Sequence, residues 1–357
     1  MPEANGQVER TSPPLLETRG LSRHFRVGGL RGRTLHAVDD LDMAIAEHEI
    51  VALVGESGSG KSTVARLLAM VYRPTAGEVL FRGRPVSSLR RRRDLLAYRG
   101  QVPMVFQDPF SSLNPAHTIG YHLSRGLKLH RPDLDRNRRQ AEAERVLEIA
   151  GLVPPAVVMT KYPYELSGGQ RQRVGFAQAL SYRPKLVLAD EPVSMLDVSI
   201  RIGLLNVMAR LRDDQGVSLL YITHDIASAR YVSDRVLVMY AGHLVEHGPT
   251  DEVLHNPAHP YTRLLLSAVP DPKAEMSITS ADVGEPPRVI DPGEGCRFRW
   301  RCPLAMEVCA HVTPRLQATS PGHEAACHAT APAARGPAAA AATPADAAAG
   351  APATPWT

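Results

Sequence analysis

The chain has 357 residues, 44% hydrophobic and 22% charged, an ordinary globular balance with length for two or three structural units. Its 41 Lys and Arg against 37 Asp and Glu leave a net charge of +4, too small an excess to mark a nucleic-acid binder. The run Arg90-Arg91-Arg92-Arg93 has no aromatic residues interleaved and reads as a solvated face. No stretch approaches the roughly 18–20 apolar residues of a membrane helix, and residues 1–14 lack the apolar core of a signal peptide. A soluble or peripheral protein is expected, and any transport role would need membrane-spanning partners.

Residues 1–14 read as a loose arm. Residues 15–54 alternate turn signals with apolar segments and end in the strand-like EIVALVG. The spacing of Val64, Leu67, Leu68 and Val71 predicts a helix over 61–72, stopped before Pro74. A helical middle runs from about 115 to 182, and apolar strand-like runs return at 186–189, 218–222 and 235–240. Strands alternating with helices predict an α/β core with a buried, mainly parallel sheet, into which the helical middle is inserted. After about residue 255 the texture turns to Pro-, His- and Cys-bearing segments. Residues 329–357 hold 15 Ala and 5 Pro in 29 positions and read as a disordered tail.

The stretch GESGSGKST, 55–63, matches G-x-x-x-x-G-K-[ST] between a predicted strand and a predicted helix. Gly55, Glu56, Ser57, Gly58, Ser59 and Gly60 would wrap a phosphate with backbone N–H groups. Lys61 would reach the β- and γ-phosphates, and Ser62, followed by Thr63, would offer a hydroxyl to Mg²⁺. The plain alternative is a Gly-rich turn. In KLVLADE, 185–191, an apolar strand ends in two carboxylates at the sheet edge where ligands of α/β folds bind. Asp190 suits Mg²⁺, and Glu191 suits polarising an attacking water. Standing alone, such a run is more often structural. His224 ends a third strand-like run in YITHD, within reach of a γ-phosphate, and Gln107 in VFQDPFSSLNP could report on Mg²⁺ and the water. Finally, YELSGGQRQR at 164–173 puts a flexible Ser-Gly-Gly at the start of a helix, flanked by arginines. One physical reading is an anion site of exposed N–H groups at a helix N-terminus.

Taken together, these motifs resemble the ATP-binding subunit of an ABC transporter, over about residues 15–325. Residues 55–63 match its Walker A motif and 185–191 its Walker B motif. Leu166, Ser167, Gly168, Gly169 and Gln170 are similar to its signature. Gln107 matches the Q-loop, Ser194-Met195-Leu196-Asp197 the D-loop and His224 the switch histidine. The resemblance implies a P-loop NTPase (RecA-like) core sheet, an antiparallel β subdomain and an inserted helical subdomain. It implies ATP and Mg²⁺ (via Ser62, Gln107 and Asp190), with Glu191, His224 and Gln107 in catalysis and Ser194 and Asp197 in the D-loop. It also implies head-to-tail dimers, the signature of one chain covering the nucleotide of the other. Phe25, in LSRHFRV, resembles the adenine-stacking aromatic; His36 is the alternative, because GGLRGRT loosens the alignment, and a core role for Phe25 stays open.

Residues 240–270 resemble the oligopeptide/dipeptide permease branch, which continues into a cysteine-bearing extension. Here Cys296, Cys302, Cys309 and Cys327 follow C-x5-C-x6-C-x17-C. Free thiols, disulfides, zinc and an iron–sulfur cluster compete. Disulfides suit a reducing compartment badly, and zinc sites usually show closer pairs. Four thiolates fit a cluster, and the resemblance implies a 4Fe–4S cluster in this extension, with zinc as the alternative. The expected division is an arm (1–14), an ATPase cassette (15–255), the extension (256–328) and the tail (329–357). The expected function is the energy-coupling ATPase of a di- or oligopeptide importer, peripheral on the cytoplasmic face of the membrane. Its partners would be two permease subunits, a second cassette (a paralogue or a copy of itself) and, indirectly, an extracellular binding protein, with no direct nucleic acid. The alternatives are an importer for nickel, oligosaccharide or another solute, and a soluble ABC ATPase acting on nucleic acid or ribosomes.

Overall fold

The computed structural model describes residues 13–28, 32–108, 113–194, 196–268 and 289–330. Most of the expected arm, Met195 and nearly all of the expected Ala/Pro tail lie outside the described residues.

The chain begins with β1 (Leu16–Val27) antiparallel to β2 (Arg33–Ile45), Leu16 lying opposite Ile45 and Phe25 opposite Leu35. β3 (Ile50–Val54) leaves that sheet, and α1 (Lys61–Leu68) follows the loop of residues 55–60. β4 (Ala76–Phe81) returns to β1 and carries the short β5 (Arg84–Pro85), which completes a four-stranded antiparallel sheet in the order β2-β1-β4-β5. After α2 (Arg92–Gln101) the chain enters a second sheet with β6 (Met104–Val105). It then passes through α3 (Ile119–His130), α4 (Arg136–Ile149), α5 (Pro155–Thr160) and α6 (Gly168–Leu180) before β7 (Leu186–Asp190). The expected helical insertion therefore sits between two neighbouring strands. Thr118 and Asp135 cap α3 and α4 by accepting from the N–H groups of Tyr121 and Arg138, at 3.3 and 2.8 Å. Leu123, Leu127, Val146, Leu147 and Phe176 bury the inner faces of these helices.

The rest of the core is α7 (Val198–Asp213), β8 (Ser218–Thr223), α8 (Ile226–Val232), β9 (Arg235–Tyr240) and β10 (His243–Pro249). Every residue of β3, β7 and β8 is buried. Their sequences are correspondingly near-continuous apolar runs, as expected of parallel strands covered on both faces. β6-β7-β8-β3-β9 form the expected parallel array. The sheet then changes character: β10 pairs antiparallel with β9, and after α9 (Thr250–His255), α10 (Pro260–Ser267) and α11 (Val308–His311) the hairpin β11 (Gln317–Ser320) and β12 (His323–Ala325) continues that edge. The cysteine-bearing segment is thus built onto the core sheet. Glu246, wholly buried on β10, fastens it by accepting from the N–H groups of Ala258 and His259 and pairing with His323 at 2.7 Å.

Helix α1 is shorter than its apolar spacing predicts. Met70 turns left-handed (φ 54°) and the Val71 N–H donates back to the Arg66 carbonyl at 2.8 Å, so the helix closes on itself after Leu68 and Val71 is left half-exposed.

Candidate nucleotide site

Four loops meet at the C-terminal edge of the parallel strands. After β3, residues 55–60 curl into a nest that ends at Gly60, whose φ of 105° would strain any L side chain and whose missing Cβ would lie 2.2 Å from the Ala37 carbonyl oxygen. Gly60 caps α1 without a side-chain bond, so the first N–H groups of the helix are spared for an anion. Lys61 is buried and folded into the loop, its Nζ donating to the carbonyls of Gly55 (2.7 Å) and Glu56 (2.8 Å). Burial lowers the Lys61 pKa, against the pull of Glu191, Asp190 and Glu56. Asp190, at the end of β7, accepts from the Ser62 Oγ at 2.9 Å; burial raises its pKa, which the Ser62 bond offsets in part. A buried carboxylate, the serine hydroxyl bonded to it and a nearby lysine form a donor set fitted to Mg²⁺ and phosphate.

Glu191 stands one residue on, at φ 45°, a strained position for a non-glycine residue. Its Oε2 accepts from the Gln107 Nε2 at 3.1 Å and lies 3.3 Å from the His224 Nδ1. The three side chains expected in catalysis, from three loops, therefore converge on one carboxylate. Ser194 donates through its Oγ to the Glu191 carbonyl at 3.0 Å, and Asp197 stands at the N-terminus of α7. Arg201 ties this loop to the histidine loop, reaching Asp225 at 3.0 Å and the Leu196 carbonyl at 3.5 Å.

The signature residues sit elsewhere. Among the described residues, no hydrogen bond joins Leu166–Gln170 to residues 55–63. Ser167 caps α6: its Oγ accepts from the Gln170 N–H at 3.2 Å, and the Gln170 side chain accepts from the Ser167 N–H at 3.0 Å. The motif is a capping box, S-x-x-Q, which its spacing already contained. A Cβ on Gly169 would come within 2.4 Å of Ile200, whereas one on Gly168 would meet nothing closer than 3.9 Å.

Phe25 lies under the Arg23 guanidinium, 4.5 Å from the ring centroid, and meets Tyr72 edge-on at 5.5 Å. His36 is engaged differently, stacked on His24 at 3.9 Å and bonded to Asp39 at 2.9 Å. Asp39 gathers His24, His36 and Arg297 of the extension; burial alone would raise its pKa, but these bonds hold it at about 2. These are the contacts that sequence reasoning missed, together with Tyr261 and Arg301, described below.

All four cysteines are free. Burial pushes the Cys296 thiol up to about 11, and the neighbouring Cys309, Cys302 and Cys327 add to the rise. The Cys296 N–H donates to the Cys309 carbonyl at 2.8 Å. Among the described residues only His24, His36 and Asp39 bring three metal-binding atoms within 4.8 Å of one another.

The chain is similar to known proteins along most of its length. Residues 38–194 match the ABC transporter family and residues 245–309 the C-terminal region of oligopeptide/dipeptide transporters. The Escherichia coli oligopeptide transport ATP-binding protein OppF is 43% identical over 312 residues, 85% of this chain and 92% of its own. A Brucella ovis protein named for peptide import is 41% identical over 321 residues, 89% of this chain and 98% of its own. Among solved structures, a dimeric ATP-binding cassette in a post-hydrolysis state with ADP and Pi superposes with a TM-score of 0.59 at 26% identity, covering 66% of this chain and 98% of that one. The chain therefore belongs to the ABC transporter ATPases, in the branch that carries the oligopeptide/dipeptide transporter C-terminal region.

Proposed function

We propose that this ATPase powers an importer of di- or oligopeptides, bound to the cytoplasmic face of two permease subunits and working head to tail with a second cassette. The convergence of Gln107, Glu191 and His224 beside Lys61, Ser62 and Asp190 carries the chemical half of this reading. The peptide half is supported by residues 245–309 and by the names of the relatives. No described helix is long and apolar enough to cross a membrane, so the permeases must come from other chains.

In this mechanism Lys61 and N–H groups of the loop and the first turn of α1 hold the β- and γ-phosphates, while Ser62, Asp190 and Gln107 would hold Mg²⁺, which would neutralise charge on the phosphates. Glu191 takes a proton from the attacking water as its oxygen bonds to the γ-phosphorus and the bond to ADP breaks. His224 steadies Glu191 and the transferred phosphoryl group. The partner's signature loop closes the site from the opposite side, the space beside its Gly168 leaving room for the phosphate. Hydrolysis then releases the two halves. Phe25, half-buried and already stacked by Arg23, presents an aromatic face for adenine.

The four cysteines are read as ligands of a 4Fe–4S cluster. Four cysteines within one short segment, none in a disulfide, support that reading, with zinc as the alternative. The cluster would pin a segment with little apolar core of its own. Iron and sulfide assays on anaerobically purified protein test this, and a colourless, zinc-loaded protein would overturn it. Affinity purification from detergent-solubilised membranes tests the importer reading. Two permeases and a second cassette are expected, and recovery with ribosomes or nucleic acid instead would overturn it.

A further inference from the structure

A loop that binds a triphosphate should not carry a negative charge, yet Glu56 lies within it. Every polar group of Glu56 is tied down. Its N–H donates to the Tyr261 hydroxyl of α10 at 2.8 Å, and its carbonyl accepts from Lys61 at 2.8 Å and from the Ser59 N–H at 3.2 Å. Its carboxylate receives both terminal nitrogens of Arg301 in a fork, at 2.8 and 2.9 Å. Arg301 comes from the segment between Cys296 and Cys302, more than two hundred residues along the chain. Its side chain is only 11% exposed and that of Glu56 25%. The guanidinium is held in turn by the Tyr240 hydroxyl at 3.4 Å and by the rings of Tyr240 and Phe298, at 5.6 and 5.9 Å.

A planar, two-pronged contact fixes orientation as well as charge, which an ammonium cannot do. Without it, a half-buried carboxylate would face the incoming phosphates at close range and low dielectric. Tyr261 complements the clamp by spending the one N–H of Glu56 on a fixed acceptor, so the loop's remaining N–H groups hold their direction.

We propose that Arg301 is a positioning residue of the phosphate loop: by clamping and neutralising Glu56 it sets the affinity for nucleotide, and so makes the cysteine-bearing extension part of the ATP site. The inference rests on the reading that residues 55–63 hold the phosphates, and it is independent of what the four thiols bind.

The test is titration calorimetry of the full chain with the magnesium complex of a non-hydrolysable ATP analogue. Arg301→Ala is expected to raise Kd about tenfold, equivalent to about 1.4 kcal/mol, with Arg301→Lys in between, and steady-state ATPase should show the loss in KM rather than in kcat. The decisive variant is Glu56→Gln with Arg301→Ala. Removing the charge that Arg301 neutralises should bring Kd back to within about twofold of the unmodified chain. If Arg301→Ala leaves Kd unchanged while Lys61→Ala weakens it, the clamp is not part of the site and the inference fails alone. If the double variant stays weak, Arg301 acts through its packing on Tyr240 and Phe298, and the inference also fails. An unchanged Kd in Lys61→Ala would instead overturn the reading of residues 55–63. Should Arg301→Ala not fold, Arg301→Gln with and without Glu56→Gln gives the same contrast.

Discussion

Ser62 and Asp190, the first residue after the phosphate-loop lysine and the last of β7, are joined by a hydrogen bond of 2.9 Å. This bond holds a buried carboxylate whose pKa burial has raised, beside a hydroxyl on the first turn of α1. A cation that displaces the serine proton donor would gain both oxygens at once. Ser62→Ala should therefore raise the Mg²⁺ concentration for half-maximal ATPase by about tenfold or more, as losses in a metal's ligand shells commonly do. A Mg²⁺ titration of ATPase at fixed ATP measures it, and an unchanged midpoint would remove Ser62 from the metal site.

Glu191 holds its position with a left-handed backbone, and both Gln107 and His224 approach its carboxylate. Glu191→Gln keeps shape and hydrogen bonds but cannot take a proton. It should bind ATP as the unmodified chain does and hold a nucleotide-dependent dimer in sedimentation. Its turnover should fall by about 10²–10⁴, the usual worth of a positioned base. Turnover within a few-fold of the unmodified chain would hand the role to another group. Gln107→Ala, which loses one of the contacts on Oε2, should show a smaller loss.

The two signature glycines can be separated. Gly169 is spoken for by the fold, because a methyl there would collide with Ile200 on α7. Gly168 has open space, and helical residues tolerate alanine well. Gly169→Ala should cost about 1–3 kcal/mol of stability by overpacking. Gly168→Ala should fold with an unchanged melting temperature and lose ATPase in the dimer. Thermal unfolding and ATPase measured on both variants decide; equal melting temperatures would mean that α7 yields more easily than its packing indicates.

Much of this architecture is legible in the sequence because it is local. Gly60, Lys61 and Ser62 lie in a fixed-spacing motif, the buried runs of β3, β7 and β8 announce a parallel sheet, and S-x-x-Q at Ser167–Gln170 carries its own capping bonds. What could not be read are pairings between distant, individually unremarkable residues. Neither Arg301–Glu56 nor Arg297–Asp39 lies on any helical or strand period, since each joins one end of the chain to the other. Nor did composition foretell that the cysteine segment would extend the core sheet. β11 and β12 are only 4 and 3 residues long, too short for a periodic signal.

His259 makes the last of these long-range ties sensitive to acid. It caps α10 through its Nδ1, which accepts the Tyr261 N–H at 3.0 Å, and Tyr261 in turn holds the Glu56 N–H. Burial, helped by Arg263, lowers its pKa to about 4, so the folded protein keeps the imidazole neutral and able to accept. The unfolded chain takes up that proton near pH 6.5. Its contribution to stability is therefore fully present above about pH 6.5 and is lost as pH falls toward 4, by up to about 1.4 kcal/mol per pH unit for one proton. His243, lowered to about 4 by burial and Arg297, acts in the same direction. His259→Asn retains a capping side chain but cannot titrate. Urea unfolding from pH 7.5 to 4.5 should show a shallower loss of stability for this variant, by about one proton below pH 6.5. Equal slopes would mean that the folded protein admits a proton at His259 after all, with α10 surviving the loss of its cap.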